Sequence, residues 1–110
     1  MASASDVTFE INVKDIAYLT DAIDFAKKGL VTAGAYKNRG YSIGKVAAGS
    51  IPEYYLDLLY DPQTSGGLLI SVAPDNLNEM LADFKNASMD TTISVIGKVA
   101  PKSDKLIRLF

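Results

Sequence analysis

A chain of 110 residues is long enough for one compact domain and too short for two. Its 48% hydrophobic and 22% charged residues suit a globular core, and a net charge of −2 gives no electrostatic reason to expect nucleic acid or an anionic membrane as a partner. It has no cysteine and no histidine, which excludes disulfides, thiolate nucleophiles, sulfur- and nitrogen-ligated zinc, and Ser-His-Asp or Cys-His catalysis.

In chain order, Val7-Thr8-Phe9-Glu10-Ile11 alternates apolar and polar residues, the pattern of a half-buried strand. Asp15 is placed to cap a helix over residues 15–28, with Ile16, Leu19, Ile23, Ala26 and Leu30 on one face and Gly29 as its left-handed terminator. Residues 32–52 hold four glycines and little periodicity, so they read mostly as loop. Pro52 opens a short helix through Tyr54, Tyr55, Leu58 and Leu59, ending at Asp61-Pro62 because the residue before a proline is pushed out of helical geometry.

Residues 67–73 are apolar except Ser71 and read as a strand covered on both faces. Pro74 and Asp75 start another helix, with Leu77, Met80, Leu81 and Phe84 at helical spacing. Residues 92–99 alternate as a strand, Pro101 to Asp104 turn the chain, and residues 106–110 form a last strand. The pattern predicts an α/β (α+β) domain over residues 1–110, a mixed β-sheet with helices packed on one face. No apolar run approaches the roughly 20 residues a membrane span needs. The first six residues lack the basic and apolar regions of a signal peptide, so the expected location is cytoplasmic.

Three stretches carry chemistry. Gly40-Tyr41-Ser42-Ile43-Gly44-Lys45 is one residue short of a P-loop and has Val46 where the magnesium-ligating hydroxyl must stand, so a glycine-rich connection is the better reading. Gly34, Lys37, Asn38 and Arg39 form a secondary candidate loop, whose two cations could meet a phosphate on another domain or simply be solvated. Asp61, Gln63, Thr64, Ser65, Gly66 and Gly67 are the main candidate. The two hydroxyls and successive N–H groups could nest around an anion, or the glycines could serve only a tight turn into a buried strand.

Residues 61–72, DPQTSGGLLISV, closely resemble the signature near the end of selenide, water dikinases (selenophosphate synthetases). MASASDVTFEINVKDIAYL is similar to the family's segment after its first C-terminal-domain helix, GLVTAGAYKNRGY to its glycine- and asparagine-containing loop, and ISVIGKVAPKSDKLIRLF to its closing strands. The resemblance implies the C-terminal-domain fold of the aminoimidazole ribonucleotide synthetase-like superfamily. In these enzymes that domain closes over an N-terminal domain which holds ATP and pairs about a dimer axis.

It further implies a parent enzyme that makes selenophosphate, which feeds selenocysteine and selenouridine synthesis, from selenide, ATP and water, with magnesium, releasing AMP and phosphate. The family's catalytic Cys or selenocysteine, its nearby Lys, its glycine-rich segment and its magnesium-binding aspartates have no counterpart here. Nor does its D-V-T-G-F-G stretch. The expectation is therefore a partial C-terminal domain, inactive alone and binding no cofactor or metal itself, whose partners are the missing ATP-binding domain and a second copy of the parent. Competing readings are a related hydrogenase-maturation or thiamine-phosphate kinase, which the D-P-Q-T-S-G-G run argues against, and a non-enzymatic ligand-binding or dimerisation module.

Overall fold

The computed structural model describes residues 1–110. Strands β1 (Val7–Ile11), β2 (Val46–Ala47), β3 (Gly97–Pro101) and β4 (Ile107–Leu109) form one sheet in the order β2-β4-β1-β3. β1 is antiparallel to β3, with Phe9 opposite Val99, and parallel to β4, with Phe9 opposite Ile107; β2 is parallel to β4. The expected α/β architecture with a mixed sheet is present, and helices α1 (Ala22–Lys27), α2 (Ala33–Ser42), α3 (Glu53–Leu59) and α4 (Leu77–Asn86) complete it.

Alternation makes β1 a strand, yet its most deeply buried side chain is the polar Thr8, at 1% exposure. Burial is tolerated because the hydroxyl is fully engaged: it donates to the Lys105 carbonyl at 2.7 Å, accepts from the Ser103 N–H at 2.9 Å and lies 3.0 Å from Ser103 Oγ. Thr8 thereby ties the turn between β3 and β4 to the sheet. Across the β1–β3 pairing, Glu10 and Lys98 are register partners joined by a 3.2 Å ion pair.

Four expected elements come out differently. The predicted helix over 15–28 is a 3-10 turn at Val13–Asp15, an extended stretch, and a helix of only six residues. Asp15 caps nothing: Asn12 accepts from the Lys14 N–H at 3.2 Å, donates to Asp15 at 2.8 Å, and so closes the earlier turn, after which Ile16 is extended. The predicted terminator holds. Gly29 has φ +76, its N–H bonds the Ala26 carbonyl, and the Leu30 N–H reaches back to Phe25, the paired bonds of a Schellman ending.

The predicted loop at 32–52 contains α2 instead. Thr32 caps it by accepting from the Ala35 N–H at 3.3 Å, and Ala35 is buried. Glycine in a helix interior costs about 1 kcal/mol, but a Cβ on Gly34 would stand 2.5 Å from Pro62 Cγ, so packing requires its absence. Gly34, Lys37, Asn38 and Arg39 are thus helical residues.

The predicted strand at 67–73 forms no strand and pairs with none, and Leu68 is 91% exposed. Residues 63–72 make no hydrogen bond within the chain, backbone or side chain. Apolar content alone marked this segment as buried; burial also needs a neighbouring strand, and none of the four strands reaches it. Likewise the strand expected over 92–99 pairs only from Gly97 onward. Six residues are buried, Ala2, Thr8, Val13, Ala26, Ala35 and Leu56, and the radius of gyration of 15.0 Å exceeds the roughly 13 Å typical of this length. The molecule is open on its 63–96 side, where α4 carries no buried residue.

Candidate functional site

The candidate run leaves α3 through Tyr60. That residue's N–H bonds the Leu56 carbonyl at 3.0 Å, and the Asp61 N–H follows to Leu58 at 3.3 Å, so helical bonding carries the chain up to Asp61. Pro62, with no N–H and a fixed φ, ends it.

The two candidate groups, separate in sequence, meet here. Thr32 donates to Asp61 Oδ1 at 2.9 Å, Asn38 Nδ2 donates to the Tyr60 carbonyl at 2.9 Å, and Gly34 lies against the Pro62 ring. Ser42 Oγ lies 2.8 Å from the Tyr60 hydroxyl and donates to the Arg39 carbonyl at 2.8 Å. The start of α2 and the end of α3 therefore form one platform, and the 61–67 run projects from it.

Arg39 does not face solvent freely. Its guanidinium makes a bidentate bond to Glu53, with Nη2 to Oε2 at 3.1 Å, and Nη1 lies 4.0 Å from Asp57. The hydrogen bond to Glu53 raises the arginine's pKa, and the same bond holds the Glu53 carboxyl below its ordinary range. Lys37 is exposed and pairs with no carboxylate, which leaves it as the cation of this group open to an outside anion. Lys45, the last residue of the rejected P-loop pattern, sits 3.7 Å from the Tyr41 ring centroid in a cation–π contact.

Beyond Pro62, Gln63, Thr64, Ser65, Gly66 and Gly67 are exposed. Neither glycine has a positive φ, and a Cβ on Gly66 would meet only the Gln63 side chain, at 2.9 Å from Oε1. The chemical offer of this run is a row of N–H donors bonded to nothing in the chain, with two hydroxyls at its centre. Such donors suit an anion. At its root a hollow of about 230 Å³ has Phe25, Leu30 and Leu58 on its apolar wall and Thr32, Asp57 and Asp61 on its polar side.

A magnesium ion finds less here. No group of three or more carboxylates gathers in the structure. No helix is long and apolar enough to cross a membrane.

Thr32, Ser42 and Tyr60 were not singled out from sequence. Thr32 carried a legible signal, a capping residue three positions before the residue whose N–H it receives. Its partnership with Asp61, 29 positions away, had none.

Comparison with known proteins agrees with the resemblance. "Selenide, water dikinase 2" of Peptoclostridium acidaminophilum is 40% identical over 107 residues, and the selenide, water dikinase of Clostridioides difficile (strain 630) is 44% identical over 109; each match covers 97% of this chain. The enzyme of that name from Treponema denticola is 31% identical over 112 residues, covering 99%. The chain is a relative of the selenide, water dikinases. It spans only 30%, 31% and 32% of the length of these three proteins. No family profile matches it.

Proposed function

We propose that this chain serves as the C-terminal part of a selenide, water dikinase, and that its 61–67 run faces a phosphate-bearing ligand across a cleft. The opposite wall is an ATP-binding domain supplied by the rest of such an enzyme. The observation that carries this reading is the unbonded donor row of residues 63–67, rooted at Asp61 on the α2–α3 platform. Kinship with enzymes of that name over nearly the whole chain supports it.

In the parent reaction ATP and magnesium supply the phosphoryl chemistry. This chain's residues would do the positioning: Thr64 and Ser65 offer hydroxyl donors, Gly66 and Gly67 let the backbone come close, and the exposed Lys37 of α2 offers a cation. Alone, the chain is expected to make no selenophosphate and to hydrolyse no ATP, because it has no cysteine, no histidine and no nucleotide-binding motif. The parent acts as a cytoplasmic homodimer, without nucleic acid or membrane partners.

The test is a transplant. This chain replaces the matching segment of the Clostridioides difficile enzyme, and selenophosphate formation is measured. The reading expects activity in the chimaera and a fall of roughly ten- to a hundred-fold on Ser65→Ala with an unchanged melting temperature, the scale of one lost hydrogen bond to a charged group. A chimaera that folds and turns over normally with Ser65→Ala would remove Ser65 from the site. Loss of melting temperature with normal turnover per folded molecule would assign the run to a structural turn instead.

A further inference from the structure

We propose that Thr32, Gly34 and Asn38 are positioning residues that seat the root of the 61–67 run and so hold the run at one distance from α2. Three contacts from one side of α2 fall on three consecutive residues. Asn38 Nδ2 holds the Tyr60 carbonyl at 2.9 Å, Thr32 holds the Asp61 carboxylate at 2.9 Å, and Gly34 gives Pro62 room that a Cβ would take. Gly34 and Asn38 are four residues apart, hence on one helical face, and Thr32 caps the same helix.

Bonding then stops abruptly. Residues 63–72 form no hydrogen bond inside the chain, and Pro62 itself has no N–H to give. This inference deepens the phosphate-facing reading, since what α2 positions is the run to which that reading assigns the ligand.

Because the chain has no cysteine, two can be introduced as unique labelling sites. Lys37→Cys on α2 and Ser65→Cys on the run, each carrying a nitroxide, report the distance between platform and run by pulsed electron spin resonance in the full chain. The expected result is one defined distance population. Thr32→Val should reduce that population roughly three- to ten-fold, as loss of a hydrogen bond to a charged group predicts. Thr32→Ser should restore it, and Gly34→Ala should shift its mean.

Far-ultraviolet circular dichroism confirms that each variant is folded; if Thr32→Val is not, Asn38→Ala replaces it. A distribution that is broad before any substitution, or unaltered by Thr32→Val and Gly34→Ala, overturns the proposal. Titration of the unlabelled chain with inorganic phosphate, read at the Gly66 and Gly67 amide resonances, tests the ligand reading separately. A failure there with an intact distance response would leave the positioning role standing.

Discussion

Thr32 Oγ1 receives the Ala35 N–H at 3.3 Å and gives its own hydrogen to Asp61 Oδ1 at 2.9 Å, so one hydroxyl both starts α2 and holds the residue that follows α3. Local and long-range structure share a single atom. Thr32→Ala should destabilise the fold by about 1 kcal/mol through the lost cap. Asp61→Ala should cost less, because its bond is exposed. The double variant should fall short of the sum by roughly 0.5 kcal/mol, the usual coupling of neighbours. A denaturant double-mutant cycle measures this, and strict additivity would show that the two residues do not interact.

Thr8 offers the sharpest stability test. Thr8→Val keeps the shape but leaves the Ser103 N–H without its partner beside a buried position, while the Lys105 carbonyl keeps Ser103 Oγ at 3.1 Å as a second donor. The expected loss is about 2 kcal/mol, the middle of the roughly 1–3 kcal/mol desolvation penalty of one stranded group. Thr8→Ser, which keeps the hydroxyl and gives up a methyl, should lose only about 1 kcal/mol. Urea unfolding curves of the two variants compare them directly, and equal losses would deny the hydroxyl its role.

Tyr18 should be late to ionise. Burial, with the Tyr55 ring beside it, pushes its phenol from 10.0 up to about 12. The fold favours the neutral form, so the contribution is complete below pH 10 and is lost as pH rises through about 12. Phenolate absorbance should show a step near pH 12 that Tyr18→Phe abolishes. An unchanged titration curve in that variant would contradict the assignment.

The exposed 63–72 segment should make the isolated chain associate with itself. Leu68, Leu69 and Ile70 present apolar side chains next to unpaired backbone, the two features that invite edge pairing. Light scattering should show a mass that rises with concentration into the high micromolar range, and Leu68→Asp should lower it. A clean monomer throughout would count against the prediction.

Where the sequence was legible, a local rule sufficed. β1 followed from alternation, α3 from Pro52 and the stop at Pro62, and the end of α1 from Gly29. Where it misled, a distant partner decided. Gly34 and Gly40 weaken α2 on propensity, yet Thr32 caps it and Pro62 needs the space at Gly34. The run at 67–73 has every local mark of a buried strand and no neighbour to bury it. The site shows the same division. Asp61, Gly34 and Asn38 could be named one by one from sequence, whereas their meeting depends on how α2 lies against α3.

The position of β1 has a kinetic consequence. Both its neighbours are made from residues 97–101 and 107–109, so a strand near residue 7 waits for about 100 further residues before both of its edges are satisfied. Synthesis at roughly 5–20 residues per second leaves it unpaired for several seconds, plus the time the last residues spend in the ribosomal tunnel. During that interval Phe9 and Ile11 lie in a nascent chain with no sheet to enter. Sequence separation of this kind slows folding through the entropy of closing the loop. Without residues 106–110 the sheet would lose β4, and with it the link between β1 and β2, so a chain lacking them should be held by chaperones rather than fold as a slightly shortened domain.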